Sequence, residues 1–456
     1  MRLIKLLTCL ALTTGLTACV PPPGAEVSKS VFAEPVSRPA PQATHIFASG
    51  PAIGAERGNA EMAGDFLDLH FRMESGRALP VLTRFEGPIT VALTGTVPPV
   101  ARSELARLIT RFRTEAGLEI SQTTGPAAII IDFQPKAALR RAVPSAACFV
   151  VPNVTGLADY SKKRNSAVVD WARLDRRERI AIMAPSDASP QEVRDCLHEE
   201  LAQAMGPLND LFRLPDSVFN DDNFHSVLTG FDMLMLRVQY APELRSGMTE
   251  AEVAARLPAI LARLNPRGQG IGSSPKQISP RAWIAATEAA FSGRGNKTDA
   301  AERMISIARA QGWTGNRMAF SLFARGRALT GRDGPAAVAA YTEAARIWRT
   351  IPGAQIHAAH VDMQLAAFAL SSGRFDEALT LTARAIPVAR SHQNASLLAS
   401  LLAMRAEALD ATGRSAEARP VRLDSLGWAR YAFGSDAQVR ERLSDIATLA
   451  RRGGRG

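Results

Sequence analysis

The chain has 456 residues, 46% of them hydrophobic, and a formal net charge of +10. That length is too great for one ordinary domain, and beyond the leader no apolar run is long enough to cross a membrane, so two or three globular units are expected. The basic balance would suit nucleic acid, but the arginines are interspersed with Glu and Asp and the chain opens on an export signal, so nucleic acid is not an expected partner.

Residues 1–19 hold Arg2 and Lys5, a mostly apolar run from Leu6 to Leu12, and then Leu16-Thr17-Ala18-Cys19. This is the pattern of a signal peptide. Its end resembles a bacterial lipobox, which implies cleavage before Cys19, acylation of its thiol and anchoring through lipid, with the mature chain facing the periplasm. Val20 after the cysteine resembles the outer-membrane default. The competing reading is an ordinary secretory signal with an incidental cysteine.

Residues 20–58, from Pro21-Pro22-Pro23-Gly24 through Pro35, Pro39 and Pro41, lack periodicity and cannot bury a core. They are expected to be a disordered tether.

A first folded domain is expected over 60–265. Short strands are read at Phe66–Met73, Ile89–Leu93, Ala128–Phe133, Cys148–Val151 and Ile180–Met183, with His70 on a strand face. Helices are read at Val100–Ala116, where Leu105, Leu108, Ile109 and Phe112 form a stripe, and at Pro190–Met205. Setting aside Cys9 in the leader and Cys19 as anchor leaves Cys148 and Cys196. In an oxidising compartment this even pair reads as a disulfide, with two buried free thiols as the alternative.

The centre of the chain is Cys196-Leu197-His198-Glu199-Glu200-Leu201-Ala202-Gln203-Ala204-Met205-Gly206-Pro207-Leu208-Asn209. On a helix Glu199 and Gln203 lie one turn apart on one face, and Gly206 permits the turn that brings Asn209 back. The spacing resembles the metzincin pattern H-E-x-x-H-x-x-G-x-x-H. That resemblance puts Glu199, Gln203 and Asn209 at the three metal-ligand positions, Glu200 at the general base, and Phe219 in place of the methionine of the turn under the metal. Leu228–Tyr240 resembles the helix that closes such catalytic domains.

Every ligand position departs from histidine, so tight zinc is not expected. An all-oxygen set of Glu199, Gln203, Asn209 and Asp210 would suit Ca²⁺ or Mn²⁺ better. No cofactor is the main expectation, a divalent cation the alternative. Without metal, Glu199, Glu200, Gln203 and Asn209 would form a hydrogen-bonded polar cluster. Glu200 would act as a base only if burial beside Glu199 raised its pKa. Ser217 has no evident histidine partner, and His225 reads as an exposed loop residue. Asp216, Asp221, Asp222 and Asn223 serve as turn residues or as a Ca²⁺ loop.

Thr249 and Glu252 make a capping box for a helix ending at Leu264, and 266–280 is an interdomain linker. Over 281–450 the pairs Gly293-Arg294, Gly331-Arg332, Gly373-Arg374 and Gly413-Arg414 recur at intervals of 38, 42 and 40 residues. Ala336, Ala378 and Ala418 each stand five residues after their glycine. The pattern resembles tetratricopeptide repeats, which implies a concave surface for a protein or peptide partner. Trp283, Trp313, Trp348 and Trp428 read as core or cap residues. The scattered arginines read as solvated faces, with anionic envelope polymers as the alternative contact.

The order of leader, strand-rich domain with Arg84-Phe85-Glu86-Gly87-Pro88 and Cys196 to Asp222, then helical repeats, resembles an uncharacterised Gram-negative lipoprotein family known as a domain of unknown function. The fold class expected is α+β: a zincin-like sheet-and-helix domain followed by an all-α tetratricopeptide-like domain. The expected function is binding or scaffolding in the cell envelope, the alternative a divergent hydrolase using Glu200.

Overall fold

Residues 28–30, 47, 57–144, 146–220, 222, 224–272, 277–292 and 295–454 are described by a computed structural model of the chain. A mixed α/β unit in the first half is followed by helices. Its strands are β1 (Ser28–Ser30), β2 (Ile89–Gly95), β3 (Ile120–Gln122), β4 (Ile129–Gln134), β5 (Cys148–Pro152) and β6 (Ile180–Pro185), in spatial order β1-β5-β6-β4-β2-β3. β2 pairs in parallel with β3 and β4, and β4 with β6. β5 against β6 and β1 against β5 are antiparallel.

The period of two along the inner strands decides which helices go where. In β6, Ile180, Ile182 and Ala184 face the large core, while Ala181 and Met183 face a smaller one. The large core is filled by α1 (Asn59–Phe71), α2 (Pro99–Glu115) and later helices. The smaller one lies under α3 (Lys136–Ala142) and α4 (Leu157–Lys163). α5 (Pro190–Met205), α6 (Gly230–Gln239) and α7 (Glu250–Leu264) complete the unit. α5 and α7 begin on the capping boxes Ser189/Glu192 and Thr249/Glu252, each satisfying two orphan donors.

Phe66–Met73 is not a strand, and His70 is not on a strand face; both belong to the end of α1 and the residues just after it. Asp68, His70 and Arg72 alternate with apolar residues as in a strand, yet Asp68 and the preceding Asp65 are buried, paired with Arg213 at 2.8 and 2.6 Å. Buried aspartates between Met62, Phe66 and Leu69 hid the helical stripe.

Within 20–58 the described residues are Ser28–Ser30 in β1, Phe47, Arg57 and Gly58; the rest of the expected tether and the leader with Cys19 lie outside the described residues. Phe47 stacks on Trp428 with ring centroids 4.2 Å apart.

The second half consists of α8 (Arg281–Phe291), α9 (Lys297–Ala310), α10 (Asn316–Leu329), α11 (Gly334–Trp348), α12 (Gln355–Ser371), α13 (Phe375–Ser391), α14 (Ala395–Ala411), α15 (Ser415–Phe433) and α16 (Asp436–Gly453). Gly331, Gly373 and Gly413 turn one helix into the next with φ of 81°, 72° and 78°, a region that favours glycine. Ala378 and Ala418 are buried beyond their turns, whereas in the earlier repeat Ala337 rather than Ala336 is sealed. Trp283, Trp313, Trp348 and Trp428 are all in the core.

α12 and α14 carry apolar residues around most of their circumference because both sides are covered. Outer helices take one side. On the other, α16 lays Ile446 and Ala450 against Ala366, Leu370, Met404 and Leu409.

Candidate functional site

α5 presents the predicted residues, and burial sorts them. Glu200 and Gln203 are 0% exposed, Asn209 is buried, and Glu199 is half-buried. Among the described residues neither side-chain atom of Gln203 is hydrogen-bonded, whereas Asn209 Nδ2 donates to the Asp68 carbonyl at 3.0 Å. The structure therefore does not join Gln203 to Asn209, because the chain after Gly206 is drawn to the end of α1, where Leu208 N also donates to Leu69 O. Among the described residues no group of three or more His, Cys, Asp or Glu is arranged to hold a metal ion.

The end of α5 is held by buried polar groups. Arg177 donates to the carbonyls of Gln203 and Gly206 at 2.5 and 2.6 Å, and its guanidinium lies 5.1 Å from the Trp171 ring centre. Burial lowers its pKa to about 10. Gln239 donates to Met205 O and Thr83 O and contacts His70 Nε2 at 3.0 Å. Both ring nitrogens of His70 face oxygens, Phe66 O being the other, so only the imidazolium would satisfy both. Burial outweighs those contacts and lowers its pKa to about 4. Gly206 is required here, since a Cβ would lie 1.6 Å from Gln239 Oε1.

Cys148 and Cys196 form a disulfide, S–S 2.07 Å, tying β5 to α5. His198, buried on α5, accepts from Leu228 N through Nδ1, and burial lowers its pKa. Burial raises Asp195.

Phe219 is fully buried, and its carbonyl accepts from Leu211 N. The turn around it is organised by Asp232, which accepts from Ser217 Oγ at 2.5 Å, Val218 N at 3.2 Å and Thr229 N at 2.7 Å. Burial raises Asp232 to about 6. Ser217 is thus a structural hydroxyl. Asp216 pairs with Arg57, whose guanidinium also meets Asp65. Burial works against the charge on Arg57, yet the carboxylates of Asp216 and Asp65 raise its pKa overall.

The segment from Phe212 to Leu228 docks onto the helical half. Phe212 packs edge-on against Trp283, and Phe224 meets Phe323, Trp348 and His357. Three alternate helices grip its polar atoms near their N-terminal ends. Asn316 Nδ2 donates to Phe212 O at 2.9 Å, His357 Nε2 lies 2.7 Å from Asp222 Oδ2, and Asn394 Nδ2 donates to Phe224 O at 3.2 Å. Asp221 and Asn223 of the acidic loop lie outside the described residues.

His225 is not an exposed loop residue. Its ring centre lies 5.6 Å from those of both His357 and His392, and His360 faces Phe224 at 4.7 Å. Burial lowers His225, His360 to about 3, and His392 to about 4. His357, His360, His392, Asn316 and Asn394 escaped sequence reasoning because their partners are more than a hundred residues away. One signal was available: Asn316 and Asn394 stand at equivalent helix starts two repeats apart.

A second grip lies along α5 and the neighbouring α2. Arg194 donates to Gln393 O at 3.3 Å, Ser396 N donates to Gln191 Oε1 at 3.0 Å, and Tyr431 Oη donates to Glu104 at 2.7 Å.

Residues 59–259 match the family described as a protein of unknown function (DUF2927). No curated protein and no solved structure matches the chain.

Proposed function

We propose that the protein is a cell-envelope lipoprotein, anchored by lipid on Cys19 and facing the periplasm from the outer membrane, that works by binding rather than by catalysis. In this reading the first unit is a degenerate zincin-like domain and the second a tetratricopeptide-like scaffold for a protein or peptide partner. The observation that carries it is the grip of Asn316, His357 and Asn394 on the Phe212–Phe224 segment. A surface that fixes two backbone carbonyls, a carboxylate and two aromatic side chains has the chemistry of peptide recognition. Here it holds the chain's own segment, so an outside partner uses the remaining repeat surface or displaces that segment.

The alternative, hydrolysis by Glu200, meets a carboxylate that is 0% exposed. A metal at Glu199, Gln203 and Asn209 would draw on a half-buried Glu199, a sealed Gln203 and an Asn209 whose Nδ2 donates to Asp68 O. Contact of the repeats with anionic polymers is weakened by pairing, since Arg346, Arg374 and Arg414 each bind a glutamate three residues away.

The test is the metal content of the chain beginning at Val20, purified without chelator, with peptide cleavage by that chain and by Glu200→Gln. No metal and no Glu200-dependent cleavage are expected. Stoichiometric metal with cleavage lost in the variant would overturn the binding reading. Radioactive palmitate incorporation, abolished by Cys19→Ser, tests the anchor.

A further inference from the structure

A local cluster of positive charge lies in the first half of the chain, outside the repeats. Residues 136–169 hold six cations, Lys136, Arg140, Arg141, Lys162, Lys163 and Arg164, against one carboxylate, Asp159. Six minus one is +5, in a first half that is otherwise net acidic, since residues 1–280 together hold 30 cations and 29 carboxylates. Lys136 is engaged by Glu192 and Lys163 by Asp159, each at 3.0 Å. Arg140, Arg141, Lys162 and Arg164 are exposed and make no ion pair among the described residues.

The fold collects these cations on one face. α3 and α4 are neighbours over the side of the sheet where Phe149, Val151, Ala181 and Met183 form the smaller core. Arg140 and Arg141 lie in the last turn of α3, Lys162 in the last turn of α4, and Arg164 just beyond it. Val168, in the short 3-10 turn that follows, is 47% exposed. Unpaired cations beside an exposed apolar side chain suit an interface that is anionic at its surface and apolar beneath.

β1 limits how far that face can stand from Cys19. It adds to the open edge of β5, with Ser28 opposite Val150, so the chain enters the sheet nine residues after Cys19. Nine extended residues span at most about 32 Å. The tether therefore holds the β5 edge, and α3 and α4 beside it, close to any surface that carries Cys19.

We propose that the α3–α4 face docks on anionic lipid headgroups, with Arg140, Arg141, Lys162 and Arg164 as the contacting cations. The orientation toward the bilayer rests on the lipid anchor proposed above, but the charge complementarity does not. Each cation near an anionic surface contributes about fivefold in affinity, and the contribution is screened over about 10 Å at 0.1 M salt.

The experiment is flotation of the chain beginning at Val20, which keeps every described residue, with vesicles of phosphatidylcholine alone or mixed with phosphatidylglycerol. Binding is expected to the mixed vesicles only, to weaken at 0.5 M salt, and to fall by on the order of a hundredfold or more in Arg140→Gln/Arg141→Gln/Lys162→Gln/Arg164→Gln. All four side chains are exposed, and an unchanged thermal melt verifies folding of the variant. The control Arg346→Gln/Arg374→Gln/Arg414→Gln removes paired repeat arginines and should bind as the parent does. Equal binding to neutral vesicles, equal loss in the control, or soluble polyphosphate bound as tightly as vesicles would each overturn the proposal. Because this chain lacks Cys19, failure here leaves palmitate labelling as a separate test of the anchor.

Discussion

His357 Nε2 lies 2.7 Å from Asp222 Oδ2, 135 residues away in sequence, with side chains 0% and 2% exposed. This contact and Phe224 beside it join the two halves. Asp222→Ala is expected to leave a buried imidazole nitrogen unpartnered and to cost about 1–3 kcal/mol. Phe224→Ala empties a site among Phe320, Phe323 and Trp348 and should cost about 3–5 kcal/mol. Urea unfolding measures both. If either variant unfolds at the parent midpoint, the segment does not hold the halves together.

The histidines make folding acid-sensitive. His360 and His392 are held near 3 and 4 by burial, against 6.5 for the free side chain. His225 and His198 are lowered as well, and His70 to about 4. As pH falls through 6.5 the unfolded chain takes up protons that the folded chain refuses, so this stability is full above 6.5 and is lost between 6.5 and about 4. A sealed histidine contributes up to about 1.4 kcal/mol per pH unit, and the half-buried His360 and His392 less. Asp232, raised from 3.8 to about 6, works the other way over that interval. The urea midpoint should fall steeply from pH 6.5 to 4.5, and His360→Gln should flatten the slope. A midpoint constant over that range would contradict the buried neutral cluster.

Gly206 and Gln239 compete for one position. Gly206→Ala would place a Cβ 1.6 Å from Gln239 Oε1, expelling the amide that caps Met205 O. The expected loss is about 3 kcal/mol or more, from a buried clash together with unpaired carbonyls. Gln239→Ala removes the obstacle, so the double variant should be more stable than Gly206→Ala alone. Strict additivity would show that the two do not meet.

The disulfide closes 48 residues of sequence. Loop entropy puts its contribution at about 4 kcal/mol. Cys148→Ala/Cys196→Ala should lower the urea midpoint accordingly, and dithiothreitol should do the same to the parent while leaving the variant unchanged.

Local signals carried far in this chain. The helix Pro190–Met205 is legible from Ser189, Pro190 and Glu192 at its start and Gly206 at its end, because caps act over four residues. Four of the strands follow from β-branched runs, and the helix turns of the second half follow from Gly331, Gly373 and Gly413. α1 was illegible for a definite reason: buried Asp65 and Asp68 answer to Arg57 and Arg213, and a charge partner far along the chain leaves no periodic trace.

By itself, then, the sequence determined what depends on neighbours in the chain: most element types, their ends, the repeat period, and the spacing of Glu199, Glu200 and Gln203 along α5 with Asn209 beyond its end. Only the tertiary structure decided what those residues face. Burial sealed Glu200 and Gln203, Asp68 drew Asn209 away, and the Phe212–Leu228 segment, which reads as a loop, became the joint between the halves. It also gathered His225, His357, His360 and His392 from 168 residues of chain. Contacts of that kind are set by packing free energy over the whole molecule, which no window of sequence contains.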